Sequence, residues 1–113
     1  MDNKFEVIFL EDAIDFLNNL NFKVRNKIYY NLDKAKLAND PKLFKKLTDD
    51  IWEFRIKFSG LQYRLFAFWD KTDKFETLVI STHGIIKKVD KVPKSDIEKA
   101  KQIRSEYFDQ QKK

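Results

Sequence analysis

Ile51–Asp70, which reads IWEFRIKFSGLQYRLFAFWD, is the stretch of sequence that decides the fold. Apolar and charged residues alternate over Ile51–Phe58, and this period of two is typical of a half-buried β-strand. Ser59 and Gly60 are typical of a tight turn, and Leu61–Asp70 supplies a returning strand. The stretch therefore predicts an antiparallel hairpin with one apolar face and one charged face.

A third antiparallel strand is predicted after the polar turn Lys71–Lys74. Phe75–His83, FETLVISTH, is rich in apolar and β-branched residues. We expect one face of the three strands to form the core and the other face to be open. The residues predicted on the core face are Phe54, Ile56, Leu65, Ala67, Leu78 and Ile80; those predicted on the open face are Arg55, Lys57, Arg64, Phe66, Ser81 and His83.

The residues before this hairpin predict one strand and two helices. Phe5–Leu10 is a short apolar run and predicts a first strand. From Glu11 the apolar residues recur at spacings of three and four, which predicts a helix, a turn near Asn21 and a second helix. The second helix should end shortly before Pro41, because a proline disfavours helical geometry in the residue before it. Together they predict an αα-hairpin.

The end of the chain predicts one more helix. Ser95 and Glu98 have the spacing of a capping box. The predicted order is β-α-α-β-β-β-α: an α+β fold with a small antiparallel sheet, an N-terminal αα-hairpin, a C-terminal helix and all helices on one face. A length of 113 residues fits one domain over residues 1–113. The apolar stripe predicted for the C-terminal helix consists of Ile97, Ala100, Ile103 and Tyr107.

Composition limits the class of protein. An aromatic content of 15% and a hydrophobic content of 42% are typical of a chain that folds. No apolar run approaches the ~20 residues that cross a bilayer, and the N-terminus lacks the pattern of an export signal. Cysteine is absent, which excludes disulfides and thiolate metal sites. We therefore expect a cytoplasmic protein without a membrane partner.

The charge of the chain favours a polyanionic partner. The formal net charge is +5 and the sequence pI is near 9.3. Cations on a sheet face that also carries Phe66 and Phe68 resemble a platform for single-stranded nucleic acid, where cations follow phosphates and rings stack on bases. A solvated, lysine-rich surface is the alternative interpretation.

His83 is the only histidine of the chain. A single imidazole cannot form the usual multi-histidine metal site, but it can carry a proton near neutral pH. Nearby cations should lower its pKa and favour a neutral base. RNA cleavage through the 2′-hydroxyl requires a base, an acid and a cation near the phosphate. The alternative is a structural role, with His83 bonded to the backbone and Gly84 turning the chain.

Two segments carry a resemblance to a known family. IWEFRIKFSGLQYRLFAFWD and LVISTHGIIKKVDKVPKSDIEKA resemble the RelE/HigB-type toxin superfamily of toxin–antitoxin systems, in its phage-derived, HigB-like branch. The most specific parts are the W-E-x-R strand, the Y-R pair on the next strand and the segment H-G-x-x-K-K-x-x-K-x-P. The resemblance as a whole covers nearly the entire chain, from the first strand through the αα-hairpin to the final helix.

The resemblance implies a RelE-like fold and a function. Members of the superfamily are ribonucleases that cut mRNA in the ribosome without a metal or other cofactor. A co-encoded antitoxin neutralises them, often through a protein with a helix-turn-helix domain, so that DNA is contacted only through the antitoxin. The alternative is a degenerate, non-catalytic RelE-like module that binds an antitoxin or RNA.

The resemblance and the strand pattern together predict the site residues. Many members of the superfamily use a C-terminal tyrosine, and Tyr107 is the only tyrosine late enough in this chain, although its helical spacing favours burial. The predicted catalytic residues are Arg55, Arg64, His83 and Lys88; the predicted RNA-binding residues are Lys57, Phe66, Phe68, Lys87 and Lys91.

Overall fold

A computed structural model describes residues 3–87 and 91–111, and within them five strands form one sheet that packs with three helices. The α+β class, the N-terminal αα-hairpin and the C-terminal helix are confirmed. The strands are β1 (Glu6–Phe9), β2 (Phe44–Lys46), β3 (Trp52–Phe58), β4 (Leu61–Asp70) and β5 (Leu78–Lys87); the helices are α1 (Glu11–Asn18), α2 (Phe22–Leu37) and α3 (Lys94–Gln111).

The predicted central hairpin is confirmed. β3 and β4 pair antiparallel from Trp52 opposite Ala67 to Phe58 opposite Leu61. The turn between them needs left-handed backbone geometry, with φ of 50° at Ser59 and 78° at Gly60. Glycine adopts that geometry without a steric penalty, which explains its place in the turn.

The sheet is mixed rather than purely antiparallel. Its strand order is β1-β5-β4-β3-β2, and β1 runs parallel to β5 with Val7 opposite Val79. The apolar pattern of β1 indicates a strand but carries no information on the direction of pairing. The strand β2 was not predicted, because three residues are too few to show a period of two.

The helix boundaries follow local signals. The side chain of Asn21 accepts a hydrogen bond from the Val24 N–H at 3.1 Å, which caps α2 and confirms the predicted turn. The helix ends at Leu37, ahead of Pro41. At the other end of the chain, α3 begins at Lys94, so Ser95 lies inside the helix and is not the predicted cap.

Helices cover both faces of the sheet, so the prediction that all helices lie on one face is wrong. The first face packs against α1 and α2 through residues that include Phe54, Ile56, Leu65 and Ala67, as predicted. The second face packs against α3. The buried residues of this second cluster are Ile51, Phe66, Phe68, Ile80 and Ala100.

β5 is one residue out of the predicted phase. Phe68 pairs with Ile80, and both lie beneath α3 together with Leu78, whereas Val79 faces the αα-hairpin. A register shift between Phe66 and Ala67 then leaves Thr82 as an extra residue. This bulge returns the strand to the phase that places His83 opposite Phe66 on the α3 face.

Gly84 provides a close approach rather than a turn. It lies inside β5 opposite Leu65, and a Cβ atom at this position would stand 2.3 Å from the Phe16 ring. Only a residue without a side chain allows α1 to pack this closely on the strand. The alternative in which Gly84 turns the chain is therefore wrong.

Within the described residues, none of the helices has the length and apolar content that spanning a membrane requires.

Candidate nucleic-acid interface

A cationic pocket lies beside the part of β3 that β2 does not cover. β2 pairs only with Trp52–Phe54, and the Leu43 carbonyl then accepts the N–H of Arg55 at 2.8 Å. The described residues that precede Leu43 in the chain do not pair with β3, and α2 approaches the edge of β3 that is left uncovered. The resulting pocket has a volume of about 410 Å³. We call it the cationic pocket, and its lining consists of Lys27, Asn31, Lys42, Leu43, Arg55, Lys57 and Arg64.

Glu53 holds two arginines of the cationic pocket. Its carboxylate lies 3.3 Å from Nε of Arg64 and 3.6 Å from Nε of Arg55, one oxygen toward each. Glu53 is 2% exposed and Arg64 is fully buried. The Arg64 guanidinium also donates hydrogen bonds to Gln62 Oε1 and to the carbonyl of Tyr63. Arg64 therefore has a fixed position at the inner wall of the pocket.

Burial and neighbouring cations shift the pKa of Glu53 in opposite directions. Burial raises the pKa of this carboxyl above its ordinary value, and the charges of Arg64, Arg55 and Lys87 oppose the rise without cancelling it. Lys87 is itself nearly buried and lies opposite Gln62. A partly compensated buried carboxylate therefore lies behind two arginines that line the cationic pocket.

The structure places the predicted cations in different surroundings. Arg55, Lys57 and Arg64 line the same pocket, as the strand alternation predicts, and Lys87 contributes to the field at Glu53. Lys91 is exposed ahead of α3 and does not line the pocket. The predicted catalytic residue Lys88 lies outside the described residues.

Phe66 and Phe68 do not form an open stacking platform, and this prediction is wrong. Both side chains have 0% exposure. The Phe68 ring packs 5.2 Å from the ring of Tyr107 and 5.5 Å from that of Phe108, both on α3. The period-two pattern correctly separates the two faces of β4, but it does not show that a helix covers the second one.

His83 does not share an open surface with the arginines, so this part of the prediction is also wrong. It is 3% exposed and lies beneath the first turn of α3, where its Nε2 is 3.1 Å from Asp96 Oδ1. Its Nδ1 is 3.0 Å from the Thr82 hydroxyl, and its ring stacks on Phe66 at 4.8 Å. Both ring nitrogens are occupied by protein groups.

The surroundings of His83 favour a neutral imidazole. Burial lowers the pKa below its ordinary value, and the hydrogen bond with Asp96 only partly opposes this. A carboxylate can only accept, so the proton of the neutral ring lies on Nε2 and Nδ1 accepts from the Thr82 hydroxyl. Lowering of the pKa was predicted, but the main cause is burial rather than nearby cations.

A family model matches most of the chain. The model described as "Phage derived protein Gp49-like" matches residues 15–105, which extend from α1 into α3. The chain belongs to the Gp49-like family. This phage-derived family is toxin-like and falls within the toxin superfamily of toxin–antitoxin systems. No curated protein gives a significant match to the chain.

Tyr107 of this Gp49-like protein has a structural environment. Its hydroxyl donates to Asp70 Oδ2 at 2.6 Å, a bond that joins α3 to the end of β4. Burial and the Asp70 carboxylate raise the pKa of Tyr107 to about 12. A phenol with so high a pKa is poorly suited to accept a proton at neutral pH.

Metal-binding side chains do not gather anywhere in the described part of this Gp49-like chain. Among residues 3–87 and 91–111, no group of three or more His, Cys, Asp or Glu side chains could hold a metal ion.

Sequence reasoning missed four residues of the site. Lys27 and Asn31 come from α2 and Lys42 from the loop before β2, so no strand pattern could associate them with Arg55. Glu53 did carry a signal, since it is the one acidic residue on the charged side of the β3 pattern. A carboxylate at that position among cations is typical of a buried counter-ion.

Proposed function

We propose that this protein is the toxin of a type II toxin–antitoxin system and that it belongs to the phage-derived, HigB-like branch of the RelE/HigB-type superfamily. In this proposal it is a metal-independent endoribonuclease that cuts mRNA on the ribosome and so inhibits translation. The cationic pocket is the observation that carries the proposal, because five Lys and Arg side chains line one concave site of suitable size for a phosphodiester. The absence of a metal and the need for the ribosome rest on the family resemblance.

The cations of the pocket would stabilise the scissile phosphate. Attack of the 2′-hydroxyl adds negative charge to the phosphate, and prearranged cations in a partly buried site lower the free energy of that transition state. Arg55 and Lys57 lie at the accessible part of the pocket, and Arg64 is fixed behind them by Glu53. Lys57 or Lys88 would donate the proton that the leaving 5′-oxygen needs, and the proton of the attacking 2′-hydroxyl would pass to solvent water.

His83 can take part only if α3 moves. Asp96 on the first turn of α3 occupies Nε2, and Thr82 occupies Nδ1. With α3 in its present position, we assign His83 to the docking of that helix. A role as the base that accepts the 2′-hydroxyl proton would require the first turn of α3 to leave the sheet.

The proposal also names partners and a location. We expect a co-encoded antitoxin that carries a helix-turn-helix domain, with DNA contacted only through it. The ribosome and its mRNA would be the target, in the cytoplasm. An antitoxin reading frame beside the gene would support this assignment.

The test is inducible expression in bacteria with mapping of mRNA 5′ ends. The wild-type chain should arrest growth and generate new 5′ ends in translated mRNA. A double variant, Arg55→Ala with Lys57→Ala, should reduce cleavage by about a hundredfold, as the loss of transition-state donors does in other sites. Arg64→Ala is a poorer choice, because it leaves the buried Glu53 without its nearest partner.

A matched control is Lys74→Ala, which removes one charge in an exposed turn outside the pocket. It should behave like the wild type. Growth that is equal to that of uninduced cells, without new 5′ ends, while the folded wild-type protein accumulates would contradict the nuclease proposal.

A second candidate function is a non-catalytic RelE-like module that binds an antitoxin or RNA. The burial of Arg64 and the occupation of both His83 nitrogens favour it, since these two predicted catalytic groups have restricted access to a substrate. This candidate predicts complex formation with an antitoxin or RNA and an unchanged pattern of mRNA 5′ ends.

A further inference from the structure

A second pocket, built from aromatic rings, lies at the end of the sheet where β1, β3 and β5 begin and β4 ends. Its volume is about 260 Å³. Four rings dominate its lining, and the loop between α2 and β2 closes it. We call it the aromatic pocket, and its lining consists of Lys4, Phe5, Ala38, Asn39, Asp40, Pro41, Phe44, Trp52 and Trp69.

The two tryptophans form a corner rather than a closed stack. Their ring centroids are 5.6 Å apart with an interplanar angle of 77°. Phe44 packs on Trp52 at 4.9 Å, and Phe5 meets the edge of Trp69 at 5.3 Å. The phenylalanines are buried, whereas both indoles are half-buried. A flat ligand could therefore lie on one indole with its edge toward the other.

The aromatic pocket also offers polar groups. Nε1 of Trp69 is buried and has no hydrogen-bond partner among the described residues. Asp40 stands on the lining, where its Oδ1 accepts the N–H of Lys42 at 2.9 Å and so fixes the carboxylate. A buried donor without a partner is unfavourable, and an indole that turned its N–H toward the pocket would relieve this cost by donating to a ligand that carries an acceptor.

The aromatic pocket and the cationic pocket share one short segment of chain. Pro41 and Phe44 line the aromatic pocket, whereas Lys42 and Leu43, which lie between them, line the cationic pocket. The two pockets are therefore neighbours on opposite sides of this segment. A flexible polyanion bound by the cations would have a ring-lined cavity within reach.

We propose that the aromatic pocket receives one unpaired nucleobase of the RNA whose phosphates bind in the cationic pocket. The inference rests on the proposed function and adds to it a site for base recognition. A base has a face that stacks on an indole and an edge with both acceptors and donors, which match Trp69 Nε1 and Asp40. An aliphatic side chain of a protein partner would satisfy neither polar group.

The test uses the intrinsic fluorescence of the protein. The chain has two tryptophans, and both line the aromatic pocket. A base that stacks on either indole should quench the emission. The probes are short single-stranded RNA oligonucleotides and matched oligonucleotides in which the central nucleotide is abasic. Binding is measured separately by anisotropy of a terminal label on the same oligonucleotides.

The expected result is quenching by the complete oligonucleotide and markedly less by its abasic counterpart, with affinity about tenfold higher for the complete one. Binding of both oligonucleotides with equal affinity and without quenching would overturn the inference while leaving an RNA-binding function intact. If neither oligonucleotide binds, the proposed function fails first. Free nucleosides at millimolar concentration then test the aromatic pocket alone, since quenching by them supports it and its absence overturns it.

Two variants distinguish the effect of changing the aromatic pocket from the effect of removing an aromatic side chain elsewhere. Trp69→Phe retains a ring but removes the N–H, and should reduce the preference for the complete oligonucleotide while binding of the abasic one is unchanged. Tyr30→Ala is the control, because Tyr30 is an exposed aromatic residue on α2 that lines neither pocket. The contrary outcome is that a purified antitoxin shifts the tryptophan emission while no nucleoside or oligonucleotide does so. That result would assign the pocket to a protein side chain and overturn the inference.

Discussion

Glu53 is the residue that determines the internal charge balance of the cationic pocket. Its carboxylate lies between Arg55 and Arg64 and is almost completely buried. Attraction to the two arginines does not fully offset the loss of water, which is why the pKa stays above its ordinary value. This arrangement fixes Arg64 in place but makes ionised Glu53 a small source of instability.

Glu53→Gln should change how stability depends on pH. Because the pKa of Glu53 in the folded state is above 4.5, the folded protein binds this proton more tightly than the unfolded one does. The stability that this tighter proton binding contributes is fully present below pH 4.5 and is lost as the pH rises through the pKa of Glu53 in the folded state. Urea denaturation across this range should therefore show that the free energy of unfolding of the wild type falls, relative to that of Glu53→Gln, as the pH rises. A difference that grows with pH would contradict the assignment.

Gly84→Ala should destabilise the fold. The added methyl group would overlap the Phe16 ring, whose nearest atom is 2.3 Å from the Cβ position. Overpacking of this kind lowers the free energy of unfolding by about 1–3 kcal/mol. Chemical denaturation measures the loss. The double variant with Phe16→Leu should recover part of it, whereas an equal loss in both backgrounds would show that the contact is not responsible.

At the scale of elements, α3 decides which residues of the sheet can meet a ligand. Its first turn is bound to His83 through Asp96, and its last turns are bound to β4 through Tyr107 and Asp70. Between these two attachments it covers the aromatic residues of the second face. The predicted stacking residues Phe66 and Phe68 are thereby part of the core. The accessible cations of the predicted platform, Arg55 and Lys57, lie at the uncovered edge of β3.

The attachment of the first turn of α3 can be followed through the single imidazole. Burial lowers the pKa of His83 below 6.5, and Asp96 partly opposes this. Neutral His83 contributes to the stability of the folded state above pH 6.5, and this contribution is lost as the pH falls through the lowered pKa of His83 in the folded state. An NMR titration of the wild type should give a midpoint below 6.5, and Asp96→Ala should lower it further if α3 stays docked.

The control for this titration is Glu98→Ala, since Glu98 is an exposed carboxylate on the same helix that forms an ion pair with Lys101. It should leave the midpoint unchanged. A midpoint at or above 6.5 in the wild type would mean that the imidazole is not sealed by α3.

At the scale of the whole molecule, position matters more than total charge. The net charge is only +5, yet five cations share the lining of one pocket. Clustering of this kind raises the local concentration of a polyanion far more than a uniform distribution of the same charge does. The family to which the chain belongs is toxin-like, and such a pocket is consistent with a role on RNA.

RNA binding should weaken as salt concentration rises. Each phosphate contact with a single strand contributes about −0.7 to the slope of log affinity against log salt. Lys57→Ala removes one accessible cation of the cationic pocket, so the slope should become shallower by about 0.7. Fluorescence anisotropy at several salt concentrations measures both slopes. Lys74→Ala should retain the wild-type slope, and equal changes in the two variants would contradict a localised site.

The sequence predicted the parts of the site that lie on the β3–β4 hairpin. Arg55 and Lys57 have the period of β3, and Arg64 lies directly opposite Arg55 on β4, so the alternation alone brings these three cations together. Lys27 and Lys42 could not be predicted, because they reach the pocket only through the packing of α2 and the loop before β2. No period within a segment encodes such a distance.

Local pattern by itself determined the hairpin, the helices and their order, because hydrophobic period, turn residues and prolines act over a few neighbouring residues. Only the tertiary structure decided that α3 lies on the face where the cations were expected to be open, that Thr82 forms a bulge and that β1 pairs in parallel. These depend on contacts between residues far apart in the chain. For the same reason Phe66, Phe68 and His83 became part of the core, while the cationic pocket and the aromatic pocket formed on either side of the segment from Pro41 to Phe44.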